Sequence, residues 1–192
     1  MFRVVLILII TSVCVAVAAE KYVLPATRMI VEMSLDIAMK EAGTSDANNP
    51  GRIKEYLKAA GVGYYNPFCM SGQYWSFVQA REIIRYVNKQ FGFKFTDVIP
   101  FPRTALANYP FHYAKKHGAK AAYKPEKYDF IIWYVAKTVN GHIERIVSVD
   151  KAGWVTTIAF NTDNRQVKFK KRHITNPIGN RLIRGLVGWK YD

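Results

Sequence analysis

The hydrophobic pattern of this chain changes from helical to strand-like between residues 118 and 128, which limits the folds it can form. Before the change, three runs carry apolar side chains at helical spacing and end at a glycine: residues 26–42, 53–61 and 70–91. After it come five segments rich in β-branched and aromatic residues: 128–137, 142–150, 154–160, 166–173 and 186–191. Helices followed by an antiparallel meander predict an α+β fold.

Asn140-Gly141 is the strongest turn signal, and it lies between the first two predicted strands. Asn-Gly favours a two-residue β-hairpin, because both residues tolerate positive φ. A short helical segment is also predicted at residues 111–118. The chain has 192 residues, half of them hydrophobic, which excludes a disordered protein and suits one domain over residues 20–192.

Residues 1–19 have the pattern of a secretory signal peptide. Arg3 gives a positive start, the apolar run 4–17 is short for a membrane span, and small residues at 16–19 offer cleavage sites. We therefore predict an exported protein, periplasmic or extracellular, with no stable membrane span after cleavage. The alternative is an N-terminal anchor that is not cleaved.

Cleavage would leave Cys69 as the single cysteine, because Cys14 lies in the predicted leader. An exported protein with one cysteine cannot form an internal disulfide. Two interpretations of Cys69 then stay open: an inert thiol that packs in the core, or a reactive thiol.

Cys69 is predicted to lie at the start of a helix. Pro67 disfavours helical geometry at Asn66, and proline is tolerated in a first helical turn. A helix that begins within a residue or two of Cys69 would expose the sulfur to the positive end of the helix dipole, which favours a thiolate. The free amides of that turn would be able to donate to an oxyanion.

Four histidines are candidates for the base that a nucleophilic cysteine needs. His112 and His117 would lie about 140° apart around a helix, which argues against a shared metal site. His173 ends a basic strand and suits a solvated edge. His142 opens a predicted strand after the Asn-Gly turn, where it is either a base facing the helix that carries Cys69 or a surface histidine.

The formal charge is +14, and loss of Arg3 would lower it by one. For an exported protein this excess favours an anionic envelope polymer or a membrane surface as partner, rather than nucleic acid. A nucleic-acid-binding protein would require that the leader stay attached and the chain stay inside the cell. The sequence has no CxxC, HExxH, phosphate-binding loop or dinucleotide fingerprint, so no cofactor or metal is predicted.

Four segments together resemble the cysteine, histidine-dependent amidohydrolase/peptidase (CHAP) family of peptidoglycan hydrolases. The family's proline-aromatic-cysteine at a helix start is similar to residues 67–69, and its Gly-Asp-aliphatic-aliphatic-Trp strand to residues 128–133. His142 stands where the family has a histidine that opens the next strand. Residues 155–162 are similar to the family's Val-Thr-Thr-Ile-Glu-Gly-Asn-Thr strand. The resemblance covers about residues 28–192.

The resemblance implies a papain-like fold, with N-terminal helices packed on a C-terminal antiparallel sheet. It also implies a hydrolase that cleaves amide bonds of peptidoglycan, as an endopeptidase or an amidase. Cys69 would be the nucleophile, and His142 would take its proton and later give it to the leaving amine. Asn161 would orient the imidazole, because Ala159 replaces the glutamate that often does so in the family.

The sequence also departs from the family pattern. Glu144 and Arg145 stand where small residues are usual, and no carboxylate is present at Ala159. An asparagine orients an imidazole but cannot stabilise an imidazolium as a carboxylate does. A catalytically weak or inactive envelope-binding protein with the same fold is therefore the alternative.

Overall fold

A computed structural model describes residues 19–191. Within that range the chain forms four helices: α1 (Arg28–Lys40), α2 (Pro50–Ala60), α3 (Cys69–Phe91) and α4 (Tyr109–His117). The same range forms seven strands: β1 (Glu20–Ala26), β2 (Ala119–Ala121), β3 (Phe130–Tyr134), β4 (Gly141–Val149), β5 (Trp154–Thr162), β6 (Gln166–His173) and β7 (Leu182–Tyr191). Apart from Ala19, the predicted leader lies outside the described residues.

All seven strands form one mixed sheet in the order β2-β1-β7-β3-β4-β5-β6. Strands β3 to β6 make the antiparallel meander that the sequence predicts, and β7 returns to the other side of β3. The α+β prediction is confirmed. The strands β3 to β7 form the predicted C-terminal antiparallel sheet, and the unpredicted β1 makes the whole sheet mixed, because it pairs in parallel with β7.

Strand β1 was not predicted, because it contains a buried lysine, Lys21. Lys21 is 2% exposed, and its ammonium lies 2.8 Å from the carboxylate of buried Asp129 and 2.6 Å from that of Glu126. Burial of a lysine requires such partners, which lie more than a hundred residues away in the sequence. No local pattern therefore marks this segment as a buried strand.

Glycines end α2 and α3 as the sequence predicts, whereas α2 begins at Pro50, three residues before its predicted start. Asn49 caps α2 by accepting a hydrogen bond from the amide of Arg52 at 3.1 Å. Gly61 and Gly92 end α2 and α3 in the left-handed region, with φ of 81° and 71°.

The β3–β4 hairpin differs from the predicted two-residue turn. Gly141 already belongs to β4, and the connection spans residues 135–140 with Lys137 at φ 60°. A Cβ at Gly141 would lie 2.5 Å from the carbonyl oxygen of Trp133, so this glycine allows a close strand approach.

The helices cover one face of the sheet. One apolar cluster joins α1 and α3 to β3, β4 and β7, and its members include Ile30, Phe77, Phe130 and Trp189. A second cluster joins α1, α2 and α3 to β5 and β6. The other face of the sheet is covered by connections between strands, which pack Tyr123 and Ile178 against a third cluster.

The first turn of α3 is fixed to β5. A Cβ at Gly72 would lie 2.0 Å from the ring of Phe160, so only glycine fits between helix and strand. The next residue, Gln73, donates from Nε2 to the carbonyl oxygen of Ile158 at 3.1 Å, and it is fully buried. These contacts hold the Cys69 end of the helix against the sheet.

We expect Gly72→Ala to lower the free energy of unfolding by about 1–3 kcal/mol, because the buried Phe160 ring must move to admit the methyl group. Gly51→Ala is the matched control, since the nearest atom to its added Cβ would be at 3.7 Å. Urea denaturation followed by circular dichroism measures both. Equal stability of the two variants would contradict the close contact.

Candidate active site

Cys69 is the first residue of α3 and is 5% exposed. The residue before it, Phe68, has no side chain that caps the helix, and the first hydrogen bond within the turn runs from the amide of Gly72 to the carbonyl of Phe68 at 2.9 Å. Helix α2 has a side-chain cap at the corresponding position. The first-turn amides of α3 are therefore left without a side-chain acceptor, next to the sulfur.

Arg165, in the turn between β5 and β6, holds the loop that leads into α3. Its guanidinium donates to the carbonyl oxygens of Tyr64 at 3.3 Å and Asn66 at 3.4 Å, and it pairs with Asp46. It also lies over the ring of Phe68, 5.3 Å from the ring centroid. Arg165 thereby positions the residues directly before Cys69, a role that the sequence did not indicate.

His142 lies on β4, is 7% exposed, and faces the start of α3. Its ring is 6.1 Å from the ring of Trp133, its partner on β3. Nε2 lies 2.9 Å from Oε1 of Glu144, and Cys69 is close enough to the imidazole to raise its pKa. Because Glu144 occupies Nε2, Nδ1 is the ring nitrogen left for the sulfur.

Glu144 is a fully buried carboxylate with a complete set of partners. The guanidinium of Arg172 donates to Oε1 at 2.7 Å and to Oε2 at 3.0 Å, and the hydroxyl of Thr157 donates to Oε2 at 2.5 Å. With His142 on Oε1, both oxygens are hydrogen-bonded. A buried charge is stable in a protein when it is paired in this way.

The charges of Glu144 and His142 stabilise each other. Burial alone would raise the pKa of Glu144, but hydrogen bonds from His142 and Arg172 lower it to about 2. Burial alone would lower the pKa of His142, but the neighbouring Cys69 and the carboxylate of Glu144 raise it to about 9. At neutral pH the imidazole is therefore protonated between the sulfur and the carboxylate.

Asn161, the predicted orienting residue, borders the same cavity as Cys69 and His142. It lies at an irregularity of β5, where the register with β6 shifts, and its φ is 56°. Asn161 was predicted to orient the imidazole, but the hydrogen bond to Nε2 of His142 is made by Glu144.

The position of Glu144 has a simple explanation in strand geometry. Residues two apart on a strand share a face, so Glu144 lies beside His142 on β4. Across the β4–β5 pair, Glu144 is directly opposite Ala159. Ala159, where the resemblance would place a glutamate, therefore lies opposite the buried carboxylate of Glu144. The His-x-Glu spacing within a predicted strand was the available signal.

A cavity of about 610 Å³ opens beside the Cys69–His142 pair. Its walls also carry polar and charged residues, among them Lys170, Asn180 and Arg181. Asp163 on the same wall pairs with Lys170. An amide group that entered this cavity would meet the sulfur, the imidazole and the first-turn amides of α3.

The other three histidines lie away from Cys69, His142 and Glu144. His112 and His117 are exposed on α4, and His173 bonds the carbonyl of Ala152 at 2.9 Å. Among residues 19–191, no set of three or more His, Cys, Asp or Glu side chains is placed to hold a metal ion. None of the helices in this range is both long and apolar enough to cross a membrane.

Comparison of the chain with models of known protein families, with curated proteins and with solved structures found no match. The resemblance to the CHAP family therefore stays a prediction that rests on the residues quoted from the sequence. The hydrogen bonds and burial of the site provide the independent basis for a functional proposal.

We expect Glu144→Gln to lower the pKa of His142 from about 9 towards its usual value of 6.5, because the amide keeps the shape of the side chain but not its charge. NMR titration of the imidazole over roughly pH 5 to 10 measures this. Glu55→Gln, on the exposed side of α2, is the control and leaves the titration unchanged. An unshifted midpoint in Glu144→Gln would show that the carboxylate does not hold the proton on His142.

Proposed function

We propose that this protein is an exported thiol hydrolase that cleaves amide bonds of peptidoglycan. Cys69 is its nucleophile, His142 its base and acid, and Glu144 the residue that orients the imidazole. One observation supports this above all: the imidazole of His142 lies between Cys69 and the hydrogen-bonded pair Glu144 and Arg172, at the start of α3 and beside a cavity. A papain-like arrangement, with the cysteine on a helix and the histidine on the sheet, is part of the proposal.

The reaction proceeds through an acyl-enzyme. The sulfur of Cys69 attacks the amide carbonyl, and the oxygen that gains negative charge accepts hydrogen bonds from the first-turn amides of α3. His142 gives its proton to the leaving amine as the C–N bond breaks, which leaves a thioester on Cys69. Water then attacks the thioester while His142 takes its proton, and the carboxylic acid product leaves as the thiolate forms again.

The carboxylate of Glu144 favours an active enzyme over an inactive envelope-binding protein. The main argument for an inactive envelope-binding protein was that Ala159 removes the group that stabilises an imidazolium. Glu144 provides a negative charge 2.9 Å from Nε2 of His142. The carboxylate of Glu144 is itself stabilised by an ion pair with Arg172. This arrangement favours an active enzyme.

Peptidoglycan as the substrate is supported by charge and by the resemblance. The chain has a formal charge of +14, and Arg181 places a positive group on the cavity wall. These charges favour a polymer that carries carboxylates. Endopeptidase and amidase activity both fit the chemistry, and the masses of the released fragments distinguish them.

We expect Cys69→Ala to abolish the release of soluble fragments from purified peptidoglycan, because the attacking sulfur is lost. Mass spectrometry of the supernatant, with the wild-type protein alongside, measures this. Equal release by both proteins would end the proposal. Binding of the wild type to peptidoglycan without any release would favour the inactive envelope-binding protein.

The same assay separates the two candidates for the orienting residue. Glu144→Gln is expected to lower kcat by about a hundredfold or more, because the imidazolium loses its stabilising charge. Asn161→Ala, at the cavity wall, should lower kcat by less than about tenfold. The reverse order of the two effects would return the orienting role to Asn161.

A further inference from the structure

Residues 85–98 form an arm that projects from the domain. The arm consists of the last two turns of α3 and the segment that follows it. Ile84 is the last buried residue of α3, and none of the side chains from 85 to 98 is buried. At about 1.5 Å per residue, the helical part of the arm extends about 10 Å beyond Ile84.

The arm is held in shape by its own contacts. The side chain of Asn88 donates to the carbonyl of Phe95 at 2.8 Å and accepts from the amide of Phe95 at 3.0 Å. Arg85 pairs with Asp97, and Gly92 reverses the chain with φ 71°. The segment after α3 is therefore tied back to the helix while its apolar side chains stay outside the core.

Aromatic rings form a continuous surface on this arm. Phe91, Phe93 and Phe95 are 67%, 51% and 40% exposed, and Tyr86 and Val98 are 61% and 64% exposed. The ring centroids of Phe91 and Phe93 are 6.3 Å apart, and those of Phe93 and Phe95 are 5.0 Å apart. A contiguous exposed patch of this kind marks an interaction surface.

Positive charge accompanies the aromatic rings. Arg85 forms ion pairs with Glu82 and Asp97. Lys89 and Lys94 have no carboxylate within ion-pair distance among residues 19–191. Aromatic side chains flanked by unpaired lysines are typical of segments that lie in the interface of an anionic membrane.

We propose that this arm binds the protein to a membrane surface that carries anionic lipids. The rings of Phe91, Phe93 and Phe95 enter the headgroup region, and Lys89 and Lys94 contact lipid phosphates. A second copy of the chain fits less well, because it would bring the same lysines together on two molecules that each carry +14. The arm also projects from the domain, which suits a planar surface rather than a partner's groove.

The test is sedimentation of the mature chain, residues 20–192, with vesicles of phosphatidylglycerol and phosphatidylcholine, or of phosphatidylcholine alone. A variant with Phe91→Ser, Phe93→Ser and Phe95→Ser is expected to bind the anionic vesicles about tenfold more weakly or worse, because it loses most of the inserted apolar area. The predicted leader is left out of every variant, because its apolar run 4–17 would bind vesicles by itself and mask the arm.

A matched control replaces three apolar residues of similar exposure elsewhere. Val149, Trp154 and Phe169 are 44%, 42% and 48% exposed, and their joint change to serine should leave vesicle binding unchanged. The change of Lys89 and Lys94 to glutamate should remove the preference for anionic vesicles, and added salt should weaken wild-type binding.

Three results would overturn the proposal. The first is that the wild type does not bind anionic vesicles, and the second is that the phenylalanine variant binds them as well as the wild type. The third is a wild-type dimer in light scattering that the phenylalanine variant dissociates, without vesicle binding by either. That result would assign the arm to a second copy of the chain.

Discussion

The buried charge of Glu144 is the interaction on which the candidate site depends. Removal of a carboxylate from water costs several kcal/mol unless partners compensate. Arg172, Thr157 and His142 together satisfy both oxygens, so the carboxylate stays ionised inside the protein. That ionised group keeps the proton on His142 beside Cys69. The proposed reactivity of the sulfur therefore depends on a charge network on the sheet.

Helix α3 connects this network to the rest of the molecule. Its first turn is fixed to β5 through the Gly72–Phe160 contact and the hydrogen bond of Gln73, so Cys69 meets the start of β4. Its other end continues into the arm. A helix of 23 residues is about 34 Å long. If the arm lies on a membrane, the site at the opposite end of α3 would lie away from the lipid.

The sequence predicted the features that depend on local chemistry. It did not predict those that depend on contacts between residues on different strands or far apart in the chain. Three helices, the glycine ends of α2 and α3 and the helix start at Cys69 follow from periodicity and turn residues, whereas α1 ends at Lys40, before its predicted end at Gly43. Strand β1 was missed because Lys21 is compatible with burial only beside Asp129. The role of Glu144 was missed because the family pattern directs attention to Ala159. That these two positions face each other depends on the β4–β5 register, which contains a shift between Ile146 and Ser148.

Contact between an imidazolium and a nucleophilic sulfur is the central claim, and alkylation of Cys69 measures it most directly. Iodoacetamide at neutral pH, with the Cys69 peptide followed by mass spectrometry, gives the rate in the wild type and in His142→Ala. The imidazolium stabilises a thiolate, so the variant should react about tenfold more slowly or worse. Equal rates would show that His142 does not act on the sulfur, and the account of this site would fail.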